Sequence, residues 1–95
     1  MTAYWINTFI DVSDEAKLAR YVELAGPAMR AAGGRFLARG NPAFVFEGGT
    51  ALRTTIIEFD SVEAAVDAYN SSAYQEALRA LGDGARRDIR IVEGI

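Results

Sequence analysis

Ala3-Tyr4-Trp5-Ile6-Asn7-Thr8-Phe9-Ile10 decides the fold. Aromatic and β-branched residues crowd this stretch and mark it as a strand. Successive side chains of a strand point to opposite faces, so Trp5 and Phe9 share one face and Tyr4, Ile6 and Ile10 the other. A strand with one wet face would be polar at every second position. Here Asn7 and Thr8 are the main polar members, and both faces are expected to be covered.

Outward from that strand, Asp11-Val12-Ser13-Asp14 offers helix caps, and Asp14 and Glu15 suit the positive end of a helix dipole. Leu18, Tyr21, Val22, Ala25, Met29 and Ala32 recur at helical spacing. Pro27 falls inside that pattern and predicts a kink rather than a break. Gly33-Gly34 reads as a left-handed cap. Arg35 to Arg39 reads as a second strand, with Phe36 and Ala38 opposed to Arg35, Leu37 and Arg39. Gly40-Asn41-Pro42 interrupts it as a bulge or turn. Ala43 to Glu47 is expected to resume the strand, Gly48-Gly49 to turn it, and Arg53 to Phe59 to return antiparallel.

Asp60-Ser61 predicts the start of a second helix, with Val62, Ala65, Val66 and Tyr69 as its buried stripe. Ser72-Ala73-Tyr74-Gln75 reads as a capping box opening a short third helix that carries Tyr74, Leu78 and Leu81. After Gly82-Asp83-Gly84, Ile89 to Val92 is a last strand. The order is βαββαβ in a single α+β domain over residues 1–95. Right-handed crossovers turn it into a four-stranded antiparallel sheet with the helices on one face. The apolar residues of the other face need a second sheet, which a homodimer joined through the sheet faces supplies.

Composition narrows the chemistry. The 95 residues contain no histidine and no cysteine. The commonest general base and the commonest metal ligands are therefore missing, along with any thiolate nucleophile or disulfide. Zinc and histidine-ligated haem are not expected, and no cofactor is expected at all. Thirteen acids face ten bases, nine of them arginine, for a net charge of −3. A mildly acidic chain with scattered arginines suits nucleic acid poorly. No apolar run is long enough to span a bilayer, and Met1 to Asn7 lacks the features of a signal peptide, so a cytoplasmic protein is expected.

Four stretches in combination carry a resemblance. They are Gly33-Gly34-Arg35-Phe36-Leu37-Ala38-Arg39-Gly40, Ile57-Glu58-Phe59-Asp60-Ser61, Tyr69-Asn70-Ser71-Ser72-Ala73-Tyr74-Gln75 and Ile91-Val92-Glu93-Gly94. With Tyr4-Trp5-Ile6 and the helix Tyr21…Gly26-Pro27-Ala28, they resemble the DUF1330 family over essentially the whole chain. The resemblance implies the dimeric α/β-barrel superfamily, in which two ferredoxin-like protomers pack sheet against sheet. Relatives there include small monooxygenases, haem-degrading enzymes, chlorite dismutases and noncatalytic effector-binding domains. The family itself is a domain of unknown function. Leu81-Gly82 stands near the place where the family often has an arginine.

Arg39 and Arg53 are the first candidates for binding. Two guanidinium forks suit a carboxylate or small oxyanion; the plainer account pairs them with Glu47, Glu58 or an acid of a partner chain. Glu58, between Ile57 and Phe59, is either a carboxylate available as a general base or the partner of an arginine. Trp5, Tyr21 and Tyr69 are candidates for lining a pocket for an acidic, aromatic or carbonyl metabolite, or else ordinary packing residues together with Tyr4 and Tyr74. A pocket holding Trp5, a tyrosine and an unpaired arginine or carboxylate would favour action on such a ligand. A filled interior with every charge paired would favour a noncatalytic or structural homodimer.

Overall fold

Chain order in the computed structural model, which describes residues 1–95, is β1 (Ala3–Val12), α1 (Glu15–Ala31), β2 (Arg35–Gly40), β3 (Thr54–Phe59), α2 (Val62–Asn70), α3 (Ser72–Leu81) and β4 (Ala85–Glu93). The sheet order is β2-β3-β1-β4, with every neighbouring pair antiparallel. This is the ferredoxin-like α+β arrangement, with the helices packed on one face of the sheet. No helix is long and apolar enough to cross a membrane.

Alternation in β1 sets the two faces. Ala3, Trp5, Asn7 and Phe9 are buried toward the helices, while Tyr4, Ile6 and Thr8 are half-buried on the open face and Ile10 is exposed. β3 repeats the pattern, with Thr55, Ile57 and Phe59 buried. Trp5, Met29, Phe59 and Tyr74 are the largest fully buried side chains, and they join the sheet to α1 and α3.

Asp14 caps α1, its carboxylate accepting from the Ala16 and Lys17 amides. Pro27 lies inside that helix, which continues to Ala31. Gly33 takes φ +94°, a backbone conformation that a side chain strains. At Gly34 the chain runs so close to β3 that a Cβ would fall 2.8 Å from the Ile57 methyl and 2.9 Å from the Phe59 ring.

Several local expectations are corrected. Residues 41–53 form no strand, so Ala43 to Glu47 does not extend β2. Pro42 brings no backbone donor to the point where β2 would continue along β3. Phe44 and Phe46 stand 81% and 79% exposed with their rings stacked at 6.4 Å, and the turn falls at Glu47, whose φ is +61°. Thr50 Oγ1 donates to the Phe9 carbonyl and ties this loop to β1. Of the expected pair Asp60-Ser61, Ser61 caps α2, and Asp60 pairs with Arg35. The buried positions of α2 are Ala65 and Ala68; Val66 and Tyr69 lie at its exposed margin. Ser71, not Ser72, caps α3 by accepting from the Tyr74 amide, and Gln75 donates to the Tyr69 carbonyl in place of closing a capping box. β4 begins at Ala85, four residues before the expected Ile89, which adds Arg87 to the sheet.

Candidate functional site

β2 changes phase at Leu37. Phe36 pairs with Ile57 and Ala38 with Ile56, so Leu37 is an extra residue in the ladder, a bulge. Beyond it Arg39 pairs with Thr55 and shares the helix-facing side with Phe36, whereas strict alternation had set the two on opposite faces. The Arg39 guanidinium carbon rests 5.0 Å from the Phe36 ring centre, and Arg30 of α1 makes the same contact at 5.0 Å. The bulge therefore turns Arg39, still exposed on the edge strand, toward the helix-facing side.

Directly opposed residues on neighbouring strands face the same way. The helix-facing side consequently carries three rows. Phe36, Ile57, Trp5 and Ile91 form an apolar row. Arg39, Thr55, Asn7 and Ile89 form the next, and its three polar members lie where a core would be apolar. The third contains Phe9, with Arg87 opposite it on β4 and Arg53 on its other side, where the Phe9 amide donates to the Arg53 carbonyl.

Between these rows and Tyr21, Gly26 and Met29 of α1 lies a narrow cleft of about 40 Å³, open to solvent at its mouth. Trp5, Asn7, Phe36, Arg39, Arg53 and Thr55 line it, and no carboxylate does. Asn7 is 5% exposed, and its Oδ1 is buried without a hydrogen-bond partner. An unpaired buried acceptor is costly to folding and calls for a functional account.

Arg39 and Arg53 have no acidic partner. The ion pairs of the chain are Lys17–Asp83, Arg35–Glu58, Arg35–Asp60 and Arg90–Asp88. Burial, and then the charge of Arg39, hold the Arg53 guanidinium below its ordinary pKa, while Tyr21 acts in the opposite direction. Glu58 lies on the open face of β3, 2.8 Å from Arg35 Nε, outside the cleft. Glu47 sits at the loop turn and pairs with neither arginine.

Tyr21 reaches a second polar cluster. Its hydroxyl oxygen is 2.7 Å from that of Tyr74, and Arg87 Nη1 donates to Tyr21 at 2.7 Å and to Tyr74 at 3.3 Å. Burial pulls the Arg87 pKa down, but the two phenol oxygens outweigh it and hold the group above its usual value. Burial raises the pKa of Tyr74, and Tyr21 adds to the effect. Tyr69 stands apart from the cleft. Its ring packs 5.9 Å from Trp5 and 5.4 Å from Tyr74, and it lines an open groove with Leu78 and Arg87.

Of the candidate residues, Trp5, Tyr21, Arg39 and Arg53 thus come together, and Tyr69 and Glu58 do not. Asn7, Thr55 and Arg87 were not singled out in sequence, and Tyr74 was named only among the amphipathic aromatics. Their signal was a polar residue in the core phase of a strand, at Asn7 between Trp5 and Phe9 and at Thr55 before Ile57. No three acidic side chains gather as a metal site would require.

Solved structures share the fold at low sequence identity. A protein of unknown function from Rhodopseudomonas palustris matches with a TM-score of 0.75 and 16% identity, covering 99% of this chain and 82% of its own. A dimeric ferredoxin-like protein of unknown function from Jannaschia sp. matches at 0.68 and 16%, covering 99% and 100%. SnoaB, a cofactor-independent oxygenase from Streptomyces nogalater, matches at 0.67 and 12%, covering 99% and 93%. No curated protein is matched by the sequence. The family model for a domain of unknown function, DUF1330, matches residues 2–95, and the chain belongs to that family.

Proposed function

We propose that this chain binds a small organic acid, with its carboxylate between Arg39 and Arg53 and its apolar or aromatic body against Trp5, Phe36 and Met29. One observation carries the reading: two guanidinium groups share a cleft that contains no acid to neutralise them. An anion would relieve their mutual repulsion and supply the hydrogen-bond acceptors that the protein withholds. The absence of a carboxylate from the lining favours binding over acid–base chemistry by the chain itself.

The test is calorimetric titration with benzoate and short aliphatic acids, on the wild type and on Arg53→Met. Benzoate should bind the wild type, and the variant should lose 1.5–3 kcal/mol of affinity, roughly the range of a charge-assisted hydrogen bond. Binding that is equal in both proteins, or absent from both, would sink the reading.

The proposed working unit is a homodimer joined through the open sheet faces. Ile6 and Ile56 oppose each other at the middle of that face, with Tyr4 beside them and Val92 48% exposed on β4. A twofold copy of the same surface would cover them. The dimeric Jannaschia protein of the same fold supports this choice. Ile56→Asp should then convert a dimer to the 10.3 kDa monomer in light scattering. A wild type that is already monomeric at micromolar concentration would refute the assembly.

A further inference from the structure

We infer that the ligand of this cleft carries, beside its carboxylate, a carbonyl oxygen that accepts a hydrogen bond from Tyr21, and is therefore an oxo acid. Arg87 and Tyr74 are the positioning residues that aim the Tyr21 hydroxyl. The inference rests on the anion reading of Arg39 and Arg53 and extends it.

Proton counting carries the argument. Each phenol has one proton, and a guanidinium only donates. The 2.7 Å contact between Tyr21 and Tyr74 consumes one of the two phenol protons. Arg87 Nη1 donates to both oxygens and cannot accept the other. Tyr74 is 0% exposed, and its hydroxyl has no further protein partner. If Tyr21 donated to Tyr74, the Tyr74 proton would be stranded in the interior at the full cost of desolvation. With Tyr74 donating instead, both residues are satisfied and the Tyr21 proton is left over. Tyr21 is a wall of the cleft, so that proton is available to a ligand.

The acceptor it meets differs from the carboxylate held by the arginines. A carboxylate offers about four acceptor positions, and two bidentate guanidinium groups fill them. Tyr21 lines the same narrow cleft as Arg39 and Arg53. The second acceptor is therefore near the carboxylate in the ligand, as the carbonyl oxygen of a 2-oxo acid is.

Matched pairs test this: 2-oxobutanoate against butanoate, and benzoylformate against phenylacetate, each pair differing by a carbonyl in place of a methylene. The wild type should prefer the oxo member by about tenfold, the worth of one hydrogen bond from a buried donor. Tyr21→Phe should abolish the preference, read as the ratio of the two affinities within each pair. Arg87→Met should reduce the preference part of the way, and Arg53→Met should weaken both members of a pair alike. A wild type without the preference, but still dependent on Arg53, would overturn the oxo-acid inference and leave the anion site standing. Equal losses for both members in Tyr21→Phe would also overturn it, because the hydroxyl would then serve the carboxylate. If no acid binds, or Arg53→Met changes nothing, the anion reading itself falls and this inference with it.

Discussion

Arg39 and Arg53 face one cleft without an acid between them, and the charge of Arg39 adds to burial in lowering the Arg53 pKa. Two like charges against an apolar wall weaken the empty protein and favour an anionic occupant. Because no carboxylate depends on Arg53, Arg53→Met strands nothing. Its melting temperature should equal or exceed that of the wild type, measured without ligand. Benzoate should then raise the wild-type melting temperature and leave that of the variant nearly still. A fall of several degrees in the unliganded variant would mean that Arg53 is a structural partner after all.

Asn7 should show the same trade between stability and binding. Its Oδ1 is buried and unpaired in the polar row beside Thr55. Asn7→Leu removes that unsatisfied acceptor and adds apolar contact with the lining. Unfolding free energy should rise by about 1 kcal/mol, the lower end of the penalty for a buried unpaired group. Affinity for organic acids should fall, because the amide leaves the cleft floor. Urea titration and calorimetry on the same preparation check both halves; a destabilised variant would show that the amide is satisfied by ordered water in the folded protein.

Glu58 gives the contrasting expectation. It pairs with Arg35 on the open face, where the two side chains are 27% and 49% exposed. Exposed pairs contribute about 0–1 kcal/mol. Glu58→Gln should lower stability by no more than that and leave acid binding unchanged. A large loss of binding would return Glu58 to the site.

The faces of β1 and β3 were legible in the sequence because Trp5, Phe9, Ile57 and Phe59 keep strict alternation. The change of phase in β2 was not. Leu37 bulges without a glycine or proline to mark it, and uninterrupted alternation sends Arg39 to the wrong face. Phe44 and Phe46 misled in the opposite sense, since their spacing imitates a strand although both lie in an exposed loop. Trp5 and Tyr21 could be named as candidates from residue type, and Arg39 and Arg53 from their places on adjoining strands; that the four share a cleft depends on the bulge and on the α1 packing. Arg87 was missed because β4 was started at Ile89. From Ala85 onward, Arg87 falls in the same phase as Ile89 and Ile91, and a core-phase arginine would have stood out.

The Tyr74 hydroxyl predicts how stability responds to alkali. Burial, followed by the influence of Tyr21, raises its folded pKa above the ordinary value of 10.0. The unfolded chain ionises this phenol first, so above about pH 10 it binds fewer protons than the folded chain, and stability falls as pH rises. Below that value the contribution is fully present. Urea midpoints should therefore be flat for this group from pH 7 to 9 and decline through pH 10 and 11. Tyr74→Phe removes the titrating group and should flatten part of that decline. It should also cost about 1 kcal/mol at neutral pH, because the Tyr21 oxygen loses a donor and the Arg87 proton aimed at Tyr74 loses an acceptor. An alkaline decline identical in wild type and variant would mean that Tyr74 does not titrate in the folded core as its surroundings dictate.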